Sequence, residues 1–229
     1  MNLNEDVHIN LALMAKAPRA GYVKTRLYKD FSPDQARDIY RCLLCRARAV
    51  AESWRQTGPD IRLILAFDPP DKPQLWDTWN AWTRQPQSAG DLGDRLQSVM
   101  AYAAPEGRSA IIFIGADAPE LSLHHLDFAR ENLLNHDAVM VPSFDGGYVL
   151  LGLHARANVL LRGINWGTDR VRGQTQEIAR KAGLKLADTT PISDVDTAED
   201  VADLIRRMLC SPDENNKALA AALLKITHR

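Results

Sequence analysis

The 229-residue chain carries 28 Lys and Arg against 29 Asp and Glu, with 45% hydrophobic and 25% charged residues. This balance excludes a disordered chain and removes the basic excess on which bulk nucleic-acid binding depends. The length suits one large α/β domain over residues 1–229 rather than two.

The first apolar run, residues 9–14, is too short for a signal h-region or a membrane span, and Glu5 and Asp6 precede it. The expectation is a cytoplasmic protein without a membrane span. Cys42, Cys45 and Cys210 cannot all pair with one another, so they read as reduced thiols. Short aliphatic runs at 9–14, 62–67, 110–115, 138–142 and 148–153 alternate with longer segments of helical period. That pattern predicts a mostly parallel sheet, Rossmann-like, with helices on both faces. Ser32-Pro33-Asp34 opens a helix that runs to about Trp54, with Gly58-Pro59 closing the segment. Pro69-Pro70 and Lys72-Pro73 break the chain after the second strand. Further helices are expected over 92–104, 123–134, 169–182 and 198–209, with a tail helix at 214–226.

The first strand empties into residues 15–26, which hold Lys16, Arg19, Lys24 and Arg26, one glycine (Gly21) and no carboxylate. Ligands of open α/β sheets collect beyond the carboxyl ends of the strands, and a glycine there lets backbone N–H groups approach phosphate oxygens. The segment therefore reads as an anion-binding loop; the alternative is a solvated basic loop. Asp117 lies just past the strand at 110–115, on the same sheet edge, where a carboxylate suits Mg²⁺ or else caps a helix. Asp194 and Asp196 precede a helix capped by Thr197 and Asp200 and can offer a second metal carboxylate, with Asp196 preferred.

Asp145-Gly146-Gly147 between two apolar runs predicts a hairpin turn. As a functional loop it offers Asp145 as a base or hydroxyl ligand, with Gly146, Gly147 and Tyr148 lining a pocket. Gly90–Arg95 is a turn and helix start, or a loop whose Arg95 meets phosphate. Trp166, beside Gly167-Thr168, is a candidate for the same pocket, whereas Trp76, Trp79 and Trp82 read as packing. Cys42 and Cys45 sit mid-helix and read as buried packing, and the scattered histidines form no metal triad. The absence of GxGxxG, GK[ST], HExxH and GxSxG argues against dinucleotide oxidoreductase, P-loop, zincin and serine-hydrolase readings.

Five ordered segments, MAKAPRAGYVKTRL, GDLGDRL, IGADAPEL, DGGYVLLG and DVDTAED, spanning roughly residues 9 to 206, resemble a bacterial glycosyltransferase-like family. It is described as radical-SAM/selenodomain-associated transferases and belongs to the nucleotide-diphospho-sugar transferase superfamily. The resemblance implies a single-domain GT-A fold, with Lys16, Arg19, Lys24 and Arg26 in a nucleotide phosphate loop. It also implies a metal, Mg²⁺ with Mn²⁺ an alternative, at Asp117 and Asp196. Two departures stand out. Gly115 occupies the first position of the usual Asp-x-Asp, and the Gly-rich loop ending in Arg-Met-Gly of nucleotidyltransferases is missing. The AKxPxxGxxKTRL loop is instead similar to that of phospholactate guanylyltransferases. The implied function is metal-dependent transfer from a nucleotide sugar, with Asp117, Asp145 and Lys24 catalytic. The alternatives are nucleotidyl transfer from an NTP to a phosphorylated small molecule, and a non-catalytic nucleotide-binding module.

Overall fold

A computed structural model describes residues 8–58, 60–69, 71–103 and 109–229; Glu5, Asp6, Pro59, Pro70 and Ala104, named above, lie outside these. The five aliphatic runs form strands β1 (Ile9–Lys16), β2 (Ile61–Asp68), β4 (Ala110–Gly115), β5 (Ala138–Pro142) and β6 (Tyr148–His154). Two further strands, β3 (Thr83–Pro86) and β7 (Leu186–Asp188), complete one sheet in the order β3-β2-β1-β4-β6-β5-β7. Both added strands are short and lie at the two edges, where exposed backbone tolerates polar sequence and length is disfavoured.

β1 pairs in parallel with β2 on one side and β4 on the other, so the chain reverses its direction of winding between them. Such a reversal opens a crevice beyond the carboxyl ends of the strands. β6 is antiparallel to both β4 and β5, because the Asp145-Gly146-Gly147 turn folds β5 and β6 into a hairpin. This hairpin brings its tip back to the same sheet end as the exits of β1 and β4.

The helices cover both faces. α1 (Pro33–Arg55) and α3 (Leu123–Asn132) bury Tyr40, Leu44, Trp54, Leu126 and Ala129 against one face. α2 (Leu92–Ala103), a 3-10 segment at Ala155–Leu161 and α4 (Val171–Lys181) close the other through Leu96, Val99, Leu160 and Ala179. α5 (Ala198–Leu209) and α6 (Glu214–Thr227) pack outside α1, and Leu219, Leu223 and Ile226 of the tail helix close this outer core. Ser32 and Gln35 form the capping box that starts α1. α4 begins at Val171, two residues later than expected, because the Asp169 backbone lies against Gly146 of the hairpin. None of the described helices is long and apolar enough to cross a membrane.

The cysteine reading needs correction. Cys42 is half-buried, but Cys45 and Cys210 are exposed, since Cys45 faces away from the sheet on α1. The tryptophans follow expectation: Trp76, Trp79 and Trp82 are buried in successive edge-to-face contacts at 5.7 and 5.1 Å.

The hairpin tip carries a backbone requirement. Gly146 has φ +89°, and a Cβ there would stand 2.2 Å from the Asp169 carbonyl oxygen, whereas Gly163 at φ +69° has open space around it. Gly163→Ala should therefore cost only left-handed strain, about 1 kcal/mol, while Gly146→Ala adds a backbone collision and should cost roughly 3 kcal/mol. Urea unfolding of the two variants checks this; equal losses would show that the hairpin yields freely at Asp169.

Candidate active site

Beyond the ends of β1, β4 and β6 lies a cavity of about 520 Å³, a size suited to a single small-molecule ligand. Lys16, Lys24, Arg26 and Arg95 line it together with Asp117, Asp145, Asp194 and Asp196. Residues scattered over 180 positions meet here for local reasons. Asp117 follows β4 directly. The segment 192–195 runs beside the end of β5 and the β4 exit, with Ile192 N–H donating to Pro142 O at 3.0 Å and Val195 N–H to Asp117 O at 2.9 Å. Val195 turns into the core, which leaves Asp194 and Asp196 on the cavity side. Asp200 accepts from the Asp196 and Thr197 N–H groups, so the cap of α5 also fixes Asp196.

Lys24 is the centre of the arrangement. Its backbone adopts the left-handed conformation, φ 47°, alone among the described non-glycine residues. Its side chain is 8% exposed, and its Nζ lies 2.8 Å from Asp196 Oδ1 and 3.5 Å from Asp117 Oδ2. Burial opposes the charged form, but the carboxylates of Asp117 and Asp196 outweigh it and hold the ammonium above the usual lysine pKa. Arg26 donates to the other oxygen of Asp196 at 2.7 Å. Asp196 is also partly desolvated, yet Lys24 and Arg26 keep its pKa below the ordinary carboxylate value.

Several expected positions are adjusted by this geometry. Lys24 bridges Asp117 and Asp196 instead of standing open to phosphate, and the exposed Arg26 pairs with Asp196 alone. Arg19 and Gly21 do not line the cavity; the Arg19 guanidinium lies 4.5 Å over the Tyr22 ring, whose hydroxyl donates to Asp68 at 2.6 Å. Arg95 lies 3.8 Å from the same Asp68 carboxylate and donates to Gln87 Oε1 at 3.4 Å. Gly146 is engaged by the Asp169 backbone rather than by the cavity, while Gly147, Tyr148 and Trp166 do line it. Asp145 accepts from Ser143 Oγ and from Gly147 N–H, so its carboxylate is held at the rim. Gly115 also has a steric reason: a Cβ there would sit 2.4 Å from Asp117 Oδ1, so the present pose of Asp117 excludes an acid or any other side chain at that position.

Sequence inspection passed over Gln87 and Tyr40. Gln87 is buried, and both hydrogens of its amide go to main-chain oxygens, Ala66 O at 2.7 Å and Ala15 O at 3.3 Å. This fixes the orientation of the amide and aims its oxygen at Arg95. The Tyr40 hydroxyl accepts from Lys16 N–H at 2.9 Å and braces the start of the basic loop. Nothing in sequence marks either, since the edge strand that Gln87 follows is itself polar.

Asp194 is pushed out of the ordinary carboxylate range. Burial, then the carboxylates of Asp145, Asp117 and Asp196, push its pKa from 3.8 up to about 6. A raised acid pKa means the ionised form destabilises the fold above about pH 6, and the penalty fades as pH falls towards 4. Asp194→Asn should therefore melt higher than wild type at pH 7.5, with the difference vanishing near pH 4. Scanning calorimetry across that range checks the sign; a lower melting temperature for the variant at pH 7.5 would contradict it.

The fold and the composition of the cavity define a nucleotide-diphospho-sugar transferase-like α/β protein with a mixed-charge crevice at its sheet switch point. The chain belongs to the DUF2064 family, described as "Uncharacterized protein conserved in bacteria", whose model matches residues 53–168. Its structure is similar to that of a protein from Desulfovibrio desulfuricans G20 provisionally described as a nucleotide-diphospho-sugar transferase. The two share 25% identity and a TM-score of 0.85 over 97% of this chain and 98% of that one. The fold alone is shared with a 4-diphosphocytidyl-2C-methyl-D-erythritol synthase (11% identity, TM-score 0.58, 90% of this chain and 100% of that one). It is shared likewise with a CMP:2-keto-3-deoxy-manno-octonic acid synthetase complexed with CTP (11%, 0.53, 87% and 98%). No curated protein matches the sequence.

Proposed function

We propose that the protein is a transferase that uses a nucleotide-activated substrate, transferring a sugar from a nucleoside diphosphate sugar to an acceptor. One observation carries the reading: cations and carboxylates from five separate segments line a single ligand-sized cavity at the switch point of the sheet. Support also comes from the similar D. desulfuricans protein and its provisional description.

The residues fit a divalent cation by charge. Four carboxylates, Asp117, Asp145, Asp194 and Asp196, face the cavity, and burial together with the neighbouring carboxylates raises the pKa of Asp194. Among the described residues no three acids, histidines or thiols are grouped tightly enough to hold a metal unaided. Mg²⁺ suits such a place, since it is commonly held by one or two carboxylates and completed by substrate phosphates and water. Asp117 and Asp196 would hold it. Bound there, the ion supplies neutralisation of the phosphates and of the departing diphosphate.

In this reading Lys16 adds positive charge beside the phosphates, and Lys24 keeps Asp117 and Asp196 at a fixed spacing. Asp145 takes the proton of the acceptor hydroxyl. As the acceptor oxygen bonds to the sugar C1, the bond from C1 to the diphosphate oxygen breaks, and its electron pair leaves with the nucleoside diphosphate. The base is met at the β1–β2 side, where Gln87 offers a fixed acceptor and Arg95 a donor.

A second reading is nucleotidyl transfer, favoured by one observation: Gly115 leaves a single acid at the end of β4 where sugar transferases of this fold usually carry two. The acceptor phosphate would then attack the α-phosphorus and release pyrophosphate, with no base required. Thermal shift with UDP, CDP, GDP, CTP and GTP, in MgCl₂ or EDTA, tests the common premise. A nucleotide at about 100 times its Kd should stabilise the fold by about 2.7 kcal/mol. Indifference to every nucleotide would end both readings. Release of nucleoside diphosphate from a sugar nucleotide then separates sugar transfer from pyrophosphate-releasing nucleotidyl transfer.

A further inference from the structure

The cavity has two unlike halves. The charged groups gather at the exits of β1 and β4, whereas the opposite half is built from one face of the sheet. Phe113 of β4 stands directly across from Leu151 of β6 in the ladder, and the two form the floor. Met14 from β1, Leu92 from the first turn of α2, Tyr148 and Trp166 rise around that floor. The Tyr148 and Trp166 rings meet edge to face at 90° with centroids 6.2 Å apart. Leu92 is 41% exposed although it lies at the mouth of a cavity, an apolar side chain left in water.

The wall is held rigidly. Gly93 lets the start of α2 approach the segment after the Ala155–Leu161 turn so closely that a Cβ would be 2.4 Å from Leu161 O and 2.7 Å from Trp166 Nε1. The absence of a side chain at Gly93 therefore leaves room for the Trp166 indole beside the start of α2. The Thr168 hydroxyl is engaged, donating to Asn165 O at 2.7 Å and accepting from Arg170 N–H at 3.3 Å. The Tyr148 hydroxyl is buried without a hydrogen-bond partner. An apolar ring placed against Phe113, Leu151, Met14 and Leu92 would displace water from apolar surface.

We propose that this wall is the acceptor subsite and that the acceptor carries an apolar ring, aromatic or alicyclic, next to its nucleophilic hydroxyl. The assignment rests on the transferase reading for the word acceptor; the preference for an apolar ring rests on the wall itself. The nucleobase has fixed polar partners of its own in Gln87 and Arg95, at the ends of β1 and β2, whereas Phe113 and Leu151 belong to β4 and β6. Asp145 and Tyr148 belong to one hairpin strand and its turn, so a ring resting on Tyr148 and Trp166 presents a neighbouring hydroxyl towards the acids.

Benzyl alcohol and glycerol serve as probes of the full-length protein, read by saturation-transfer NMR and by tryptophan fluorescence. Benzyl alcohol should bind saturably and glycerol should not. Leu92→Gln and Trp166→Ala should each weaken benzyl alcohol at least fivefold; Leu92, being exposed, keeps the test decisive if Trp166→Ala fails to fold. Asp117→Asn should leave this binding in place. No saturable binding of benzyl alcohol, equal binding of glycerol, or indifference to Leu92→Gln overturns the proposal. Parallel titration with the nucleotide panel separates the two claims. Nucleotide binding without benzyl alcohol binding removes the apolar subsite and spares the transferase reading. The reverse pattern removes the transferase reading and leaves a ring-binding subsite.

Discussion

Lys24→Met is expected to lower the stability of the folded protein by about 3 kcal/mol, near the low end of the loss when one partner of a buried ion pair is removed. Methionine keeps the length and apolar stem of lysine, so packing around the 8%-exposed side chain is preserved and the change is chiefly one of charge. What remains is Asp117 and Asp196 facing each other, with Asp145 and Asp194 on the same cavity wall and no buried cation among them. The low end of the range applies because Asp117 and Asp196 keep 42% and 30% side-chain exposure and regain some hydration. For a chain of this size the loss corresponds to roughly 6–12 °C in melting temperature. It should shrink as pH falls and the acids protonate. It should also be non-additive with Asp196→Asn, since the two residues share one interaction. A melting temperature within 2 °C of wild type at pH 7.5 would show that the bridge contributes little.

The second large effect concerns activity. Under the transferase reading, Asp117→Asn should reduce kcat by about 10³-fold, since a metal-holding carboxylate and the ion it fixes act as a unit. The side chain is 42% exposed and Asn has nearly the same shape, so the fold should survive with its melting temperature little changed. The same variant should lose the difference between nucleotide binding in MgCl₂ and in EDTA. Calorimetric titration in the two buffers, with turnover measured alongside, provides the check. Retention of Mg²⁺-dependent affinity would remove Asp117 from the proposed metal site.

The parts of the architecture that could be read from sequence are those in which burial dictates composition. Residues 110–115 and 138–142 are flanked on both faces, so no position is polar and the strands announce themselves. The Asp145-Gly146-Gly147 turn was legible because a tight reversal needs positive φ, and the observed +89° at Gly146 meets that need. Thr83–Pro86 and Leu186–Asp188 were silent, since an edge strand needs only backbone partners on one side and its side chains answer to solvent. The Asp145-Gly146-Gly147 turn marks β6 as antiparallel to β5, but the insertion of β6 between β4 and β5 left no mark, as a strand buried on both faces does not declare its neighbours.

For the candidate site, sequence identified the participants better than their relationships. Lys16, Lys24, Arg26, Arg95, Asp117, Asp145 and Asp196 do share one cavity. That Lys24 binds acids 93 and 172 residues away could not be read, because charge complementarity at such separations leaves no local pattern. Arg19 was misplaced for a similar reason: whether an arginine meets phosphate or stacks on the tyrosine three residues later depends on a loop path that composition does not encode.

The Lys24 bridge has a bearing on how the molecule comes into being. One anchor, Asp117, leaves the ribosome midway through synthesis, but the other, Asp196, emerges only after all seven strands have been made. An early product can thus pair its strands and bury most of its core while the basic loop still lacks the clasp that holds it over the crevice. The clasp between the basic loop and the acids is therefore complete only once the last sixth of the polypeptide is present.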